Sequence, residues 1–143
     1  MNVISKKLFL FLLMILMLAP TLVNAEENRR VFMCSNCQMI IPAEKMPSSL
    51  GCTKANYHIW ANLGVVGLNV FNCKKCNVIV YTKLIPNAAY TKEHGYHYWI
   101  RLGEFGEKVF NCKKCGVSAR LKQRPGSSQC PKVKSGYHEW FGY

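Results

Sequence analysis

Apolar residues form two kinds of segment along the chain. The first is a continuous run over residues 8–18, which follows Lys6 and Lys7. Later apolar residues fall in short β-branched or aromatic runs, such as residues 77–82, bounded by Gly, Pro, Asn and Ser. These short runs are typical of strands separated by turns, and none of them continues with the spacing of an amphipathic helix. The pattern predicts a small all-β protein built from hairpins.

The continuous run has the layout of a secretory signal peptide. Its 11 residues suit a signal core of about 7–15 residues and fall short of the roughly 20 that span a bilayer. Small residues follow at Val23 and Ala25, which predicts a signal peptide at 1–25, cleaved after Ala25. An uncleaved segment would act as a membrane anchor. In both cases we expect the rest of the chain to be secreted or periplasmic.

The charge of the chain is strongly basic. It has 19 Lys and Arg residues, and loss of Lys6 and Lys7 with the signal peptide leaves 17 against 7 acidic residues, a formal +10. Such a field favours polyanions such as phospholipid headgroups, acidic wall polymers or nucleic acid, although a solvated basic surface has the same composition. The predicted partner is therefore an unknown macromolecule, with a polyanionic envelope component as a candidate.

An internal repeat organises the chain after the signal peptide. The motif Val-Phe-x-Cys-x-x-Cys recurs at a constant step of 39 residues, beginning at Val31, Val70 and Val109. A second motif, Tyr-His-x-Trp, follows in each copy and begins at Tyr57, Tyr96 and Tyr137. The repeat predicts three tandem units, at 31–64, 70–103 and 109–143. The joining segments are so short that neighbouring units should lie close together, near enough to share a hairpin.

Units of about 34 residues are too small to fold on a hydrophobic core alone, so each needs a staple. A Cys-x-x-Cys turn directs two sulfurs to one side of a loop, and a later Cys and His can complete a tetrahedral Cys3His zinc site. Residues i and i+2 of a strand share a face, so the Trp of each unit should cover the site, and the preceding Tyr should face away and pack on the next unit. The predicted ligands in the outer units are Cys34, Cys37, Cys52 and His58, and Cys112, Cys115, Cys130 and His138.

The middle unit departs from this pattern. Thr91 stands where the third cysteine is expected, and an additional histidine, His94, occurs three residues before His97. Cys73, Cys76, His94 and His97 would make a Cys2His2 site. One alternative is an open catalytic site with a water as fourth ligand and Glu93 as base; another is a metal-free unit closed by a disulfide between the two cysteines. The chain should therefore hold two or three structural zinc ions.

This two-part arrangement of a Cys-x-x-Cys knuckle followed by a later cysteine and a His-x-Trp strand resembles the zinc-ribbon family, particularly its short bacterial members. The resemblance covers the first and third units almost throughout. It implies three tandem zinc-ribbon-like β-hairpin units after the signal peptide, with the second unit degenerate. It implies no activity.

The sequence favours an exported, non-enzymatic zinc-binding scaffold or binding protein. Only seven acidic residues are available for acid–base chemistry, and no nucleophile elbow or phosphate loop is present, so neither an enzyme nor a small-molecule substrate is predicted. One alternative is a metal-handling protein that buffers or delivers zinc or copper. Another is a disulfide-stapled basic secreted protein, which would need a Cys52–Cys130 bond to pair all the cysteines and would leave the recurring histidines unexplained.

Overall fold

The computed structural model describes residues 28–126, 128, 130–133 and 136–142, and within them the chain is all-β, as predicted. The predicted signal peptide lies outside the described residues. The described part of the chain contains no helix that could span a membrane. The strands are β1 (Arg30–Cys34), β2 (Ile40–Ala43), β3 (Trp60–Cys73), β4 (Ile79–Thr82), β5 (Tyr90–Thr91), β6 (Gly95–Tyr96), β7 (Trp99–Glu104), β8 (Lys108–Cys112), β9 (Ser118–Leu121) and β10 (Trp140–Gly142).

The strands form three antiparallel sheets. The largest has the order β2-β1-β3-β4, with β7 also paired to β3; the others are β10-β8-β9 and β5-β6. The 14-residue strand β3 pairs with β1 through its first half and with β4 and β7 through its second half. Residues 65–69, which connect the first two predicted units, therefore lie inside β3, and these two units share a continuous strand instead of a hairpin.

The junctions between units repeat with the sequence. Lys83 N–H donates to the Val65 carbonyl, and Lys122 N–H donates to the Glu104 carbonyl, both at 2.9 Å and 39 residues apart. The chains approach so closely there that a Cβ on Gly67 would lie 2.4 Å from the Lys83 nitrogen. Gly106 occupies the same place at the second junction, where a Cβ would lie 2.5 Å from the Lys122 nitrogen. Each junction therefore requires glycine.

The hydrophobic cores lie between units instead of within them. One cluster joins residues of the first unit to residues of the middle unit: Val31, Met33, Leu63, Phe71, Val80 and Ala89. The other joins the middle unit to the third: Val70, Leu102, Phe110, Cys112, Ala119, Leu121, Cys130 and Trp140. Since each unit completes its neighbour's core, the three units form one array, as expected of repeats that cannot bury their apolar faces alone.

The expected packing of the repeated tyrosines on the next unit is wrong. Tyr57, Tyr96 and Tyr137 are 56%, 62% and 62% exposed. The alternation of side chains that turns each following histidine inward turns the tyrosine outward. The contacts between units are made instead by the core residues of the strands, which leaves the tyrosines on the surface.

Candidate metal centres

Each Cys-x-x-Cys motif forms a tight turn at the end of a strand. In the first turn Gln38 N–H donates to the Cys34 carbonyl at 2.9 Å, and the equivalent bonds at Asn77 and Gly116 have the same length. These three residues adopt left-handed backbone conformations, with φ of 61°, 64° and 74°. Asn and Gly adopt that conformation most readily, so the residue after each second cysteine suits the turn in two of the three copies.

The His-x-Trp segments reach the turns through strand register. The first cysteine of each turn pairs directly with the tryptophan of the same unit: Cys34 with Trp60, Cys73 with Trp99 and Cys112 with Trp140. The histidine two residues before the tryptophan is thereby placed beside the second cysteine. Its ring stacks on the tryptophan ring at centroid distances of 4.6–4.8 Å. The predicted covering of each site by its tryptophan is therefore present in all three units.

Hydrogen bonds hold this strand to the loop that carries the third cysteine. In the first unit His58 N–H donates to the Ser49 carbonyl at 2.5 Å, and Trp60 Nε1 donates to the Ser48 carbonyl at 2.8 Å. The other units repeat both contacts, with Ala89 and Asn87 in the middle unit and Ser128 and Gly126 in the third. The loop is thus positioned by the tryptophan as well as by the histidine backbone.

The structure brings the predicted ligands together in three clusters whose donor atoms all lie within 4.8 Å of one another: Cys34, Cys37, Cys52 and His58; Cys73, Cys76, His94 and His97; and Cys112, Cys115, Cys130 and His138. In each cluster the sulfur of the second cysteine lies 3.5 Å from Nδ1 of the histidine before the tryptophan. A tetrahedral zinc ion with its usual bond lengths would separate sulfur and nitrogen by about 3.6 Å. The clusters therefore have the size and the donor types that fit a tetrahedral ion.

Several ring nitrogens in these clusters have no protein partner. Among the described residues, His94 Nδ1, His97 Nε2 and His138 Nε2 are buried and accept or donate no hydrogen bond. A buried polar group without a partner costs about 1–3 kcal/mol. Burial also lowers the pKa of His138, which favours the neutral imidazole that binds metal. A metal ion would give the unpartnered His94 Nδ1 a partner, whereas in His97 and His138 the nitrogen that faces the cysteine sulfur is Nδ1.

The two cysteines of a turn differ in acidity. The Cys76 thiol donates to Cys73 and lowers the pKa of Cys73 to about 3 against the opposing effect of burial, while the pKa of Cys76 rises. In the first turn burial opposes ionisation of Cys34, but the Cys37 backbone N–H and the His58 ring outweigh it and lower its pKa to about 6. These hydrogen bonds favour the thiolate on one sulfur of each of these two turns, and the thiolate is the form that binds zinc.

A hydrogen-bond chain orients the additional histidine of the middle cluster. Thr91 Oγ1 lies 3.3 Å from the Gly95 carbonyl and 3.2 Å from His94 Nε2. The hydroxyl has one hydrogen, which it donates to the carbonyl, so it must accept its other bond from a protonated Nε2. The proton of neutral His94 is then on Nε2, and the buried Nδ1 keeps its lone pair for a ligand. Thr91, which the sequence identified only as a missing cysteine, therefore positions the additional candidate ligand.

Glu93, the candidate base of an open catalytic site, contacts two side chains of the first unit. Its carboxylate contacts Lys54 Nζ and Gln38 Nε2, both at 2.6 Å and both in the first unit. These contacts link the exposed loops of two units.

None of the eight cysteines is in a disulfide. Cys52 and Cys130, which a disulfide scheme would pair, belong to different clusters. No family model matches the chain, and no curated protein or solved structure matches it.

Proposed function

We propose that this chain is an exported, non-enzymatic scaffold in which each of the three clusters holds one structural zinc ion. The observation that carries the proposal is the threefold recurrence of one donor arrangement, with the same 3.5 Å sulfur–nitrogen separation beside a stacked tryptophan. The zinc ions would staple an array whose cores are shared between units. The basic array would then present a rigid surface to a polyanionic partner.

The donor chemistry supports zinc over other metals. Each cluster combines cysteine sulfurs with imidazole nitrogen, and mixed sulfur and nitrogen donors in a tetrahedron are characteristic of zinc. Four-sulfur sites, by contrast, are the usual choice for iron–sulfur centres. The turn followed by a His-x-Trp strand also supports the resemblance to zinc ribbons.

A structural role is supported by the number of donors. Each cluster supplies four protein ligands, whereas catalytic zinc keeps one position for water or substrate. In the middle cluster His94 supplies the fourth donor, and Glu93 is occupied by Lys54 and Gln38. A closed site holds shape and leaves no position for chemistry.

The test is the metal content and the number of accessible thiols of the exported protein, purified without added metal. We expect three zinc ions per chain and eight thiols that react only after chelation. Absence of both metal and free thiols would contradict the proposal and establish a disulfide scaffold. The N-terminal residue of the same sample tests export, since cleavage after Ala25 leaves Glu26 at the start.

The middle site has its own test. His94→Ala should lower the zinc content by one ion per chain, because it removes one of four donors. Lys92→Ala is a matched control in the same loop, at an exposed residue outside the cluster. Unchanged zinc content in His94→Ala would show that His94 is not a ligand.

One observation favours a second function, delivery of metal, for the first cluster. Its third cysteine, Cys52, is half-buried, whereas the equivalent Cys130 is 1% exposed. A more accessible cluster should exchange metal faster. If a weak chelator removes one ion within minutes and leaves two, and Cys52→Ser eliminates that fast phase, the protein is a metal-handling protein. If all three ions resist the weak chelator, the result supports a scaffold.

A further inference from the structure

A cavity of about 450 Å³ lies at the second junction, between the turn of the middle unit and a loop of the third unit. Lys74, Lys75 and Tyr98 line it from one side, and residues 130–133 contribute Cys130, Pro131 and Val133 from the other. His94 completes its wall. The cavity is large enough for a small ligand such as one or two sugar rings.

The cavity is basic and has one aromatic wall. Lys74 Nζ lies 5.5 Å from the centroid of the Tyr98 ring, and Lys75 Nζ donates to the His94 carbonyl at 3.2 Å. None of the described residues that line the cavity is acidic. In the third unit, by contrast, the equivalent Lys113 has a carboxylate partner, Glu139, at 3.3 Å.

At the first junction a charged contact joins the exposed loops of two units. There the loop of the middle unit places the Glu93 carboxylate against Lys54 and Gln38 of the preceding unit. At the second junction the residue equivalent to Glu93 is Lys132. The third unit therefore contributes a lysine where the middle unit contributes a carboxylate, and the position equivalent to Lys54 is Glu93 of the middle unit.

We infer that the cavity at the second junction binds an anionic sugar residue, whose carboxylate or phosphate would contact Lys74 and Lys75 and whose ring would lie against Tyr98. An acidic group would pair with the ammonium groups of the two lysines. The tyrosine ring offers a flat apolar face on which a sugar ring packs. This inference rests on the proposed function, because His94 and Cys130 belong to two different metal clusters and fix the two walls.

A nucleic-acid strand fits these observations less well. Single-stranded nucleic acid needs a basic groove with successive stacking platforms. The basic lysine pair of the middle unit does not recur along the array. Ser35 and Asn36 replace it in the first unit, and in the third unit Lys113 forms an ion pair with Glu139. One isolated basic cavity suits one anionic residue.

The experiment is calorimetric titration of the zinc-loaded protein with trigalacturonate and with glucose 6-phosphate, which distinguish a carboxylate from a phosphate source. Maltotriose is the neutral probe, and an oligothymidylate tests nucleic acid. We expect binding of at least one anionic sugar and none of maltotriose. Replacing both Lys74 and Lys75 by Gln should weaken this binding roughly tenfold, from the loss of two partly solvated charge contacts.

The matched control replaces Lys113 and Lys114 by Gln in the corresponding turn of the third unit, outside the cavity, and should leave the affinity unchanged. The inference is wrong if neither anionic sugar binds, if both double variants weaken binding equally, or if the oligothymidylate alone binds. Zinc content measured on the same sample separates the two proposals. Three zinc ions without sugar binding overturns only the cavity, whereas absence of zinc overturns the metal sites.

Chelation of zinc tests whether sugar binding depends on the metal. Removing zinc should eliminate sugar binding, because the two walls are then no longer fixed by their clusters. Sugar binding that survives chelation with unchanged affinity would contradict the metal dependence of the cavity.

Discussion

The hydroxyl of Thr91 should control the affinity of the middle metal site, although it is not itself a ligand. Thr91→Val keeps the volume of the side chain and removes the oxygen that accepts from His94 Nε2 and donates to the Gly95 carbonyl. Without this acceptor His94 loses the contact that places its proton on Nε2. Its Nδ1 is then no longer held with a free lone pair.

The size of the effect follows from the burial of these groups. Thr91 is fully buried, so water cannot readily replace the lost contacts. Loss of a partner that orients a metal ligand typically weakens metal binding by about 10–100-fold, or roughly 1.4–2.7 kcal/mol. Thr91→Ser keeps the oxygen and should retain most of the affinity.

The assay is competition for zinc with a chromogenic chelator, resolved into three sites per chain. We expect one site to weaken and two to remain unchanged. Thr82→Val is the matched control, because Thr82 is also fully buried and its hydroxyl donates to the Leu84 carbonyl at 2.7 Å, a contact that involves no candidate ligand. Equal behaviour of the two variants at the middle site would refute the positioning role of Thr91.

Three further predictions concern the junctions, the tryptophans and protons. Gly67→Ala should lower the free energy of unfolding by about 2 kcal/mol or more, because its Cβ meets backbone, whereas Gly126→Ala, with open space around it, should change it little in chemical denaturation. Trp140→Ala should cost about 3–5 kcal/mol in the same measurement, since Trp140 is 3% exposed and covers His138; a loss below 1 kcal/mol would contradict this. Burial raises the pKa of Cys115 to about 11, so zinc binding at pH 7 must release its proton, and calorimetry in buffers of different ionisation enthalpy should detect the release.

The fold class could be predicted because the pattern of apolar residues within a short segment indicates its secondary structure. Short β-branched runs bounded by turn residues identify strands without any knowledge of their partners. Pairing is not local, however. The segment 65–69 has only five residues and contains Gly67, a composition that favours a linker. It nevertheless continues strand β3, because the Val65 carbonyl accepts a hydrogen bond from Lys83 N–H of the next unit.

The site was predictable to the extent that the repeat constrains it. Three copies of the same residues at the same step identify the donors, since unrelated positions would not recur together. The role of Thr91 was not predictable in this way, because it occurs in one copy only. A Thr-x-x-His spacing was the available signal, but which ring nitrogen faces the threonine depends on the fold of the loop.

Metal binding and packing are coupled in this array through the residues they share. Two residues of the third cluster, Cys112 and Cys130, also belong to the core between the middle and third units. The same core contains Trp140, which covers His138 of that cluster. Loss of the third metal should therefore loosen the packing between the middle and third units. This loss of packing should then extend to the contacts between the middle and first units. In the first cluster, by contrast, Cys52 lies on an exposed loop and is not part of a hydrophobic core. Loss of the first metal should therefore disturb the core less. Under a chelator strong enough to remove all three ions, we therefore expect the first site to lose its metal before the third.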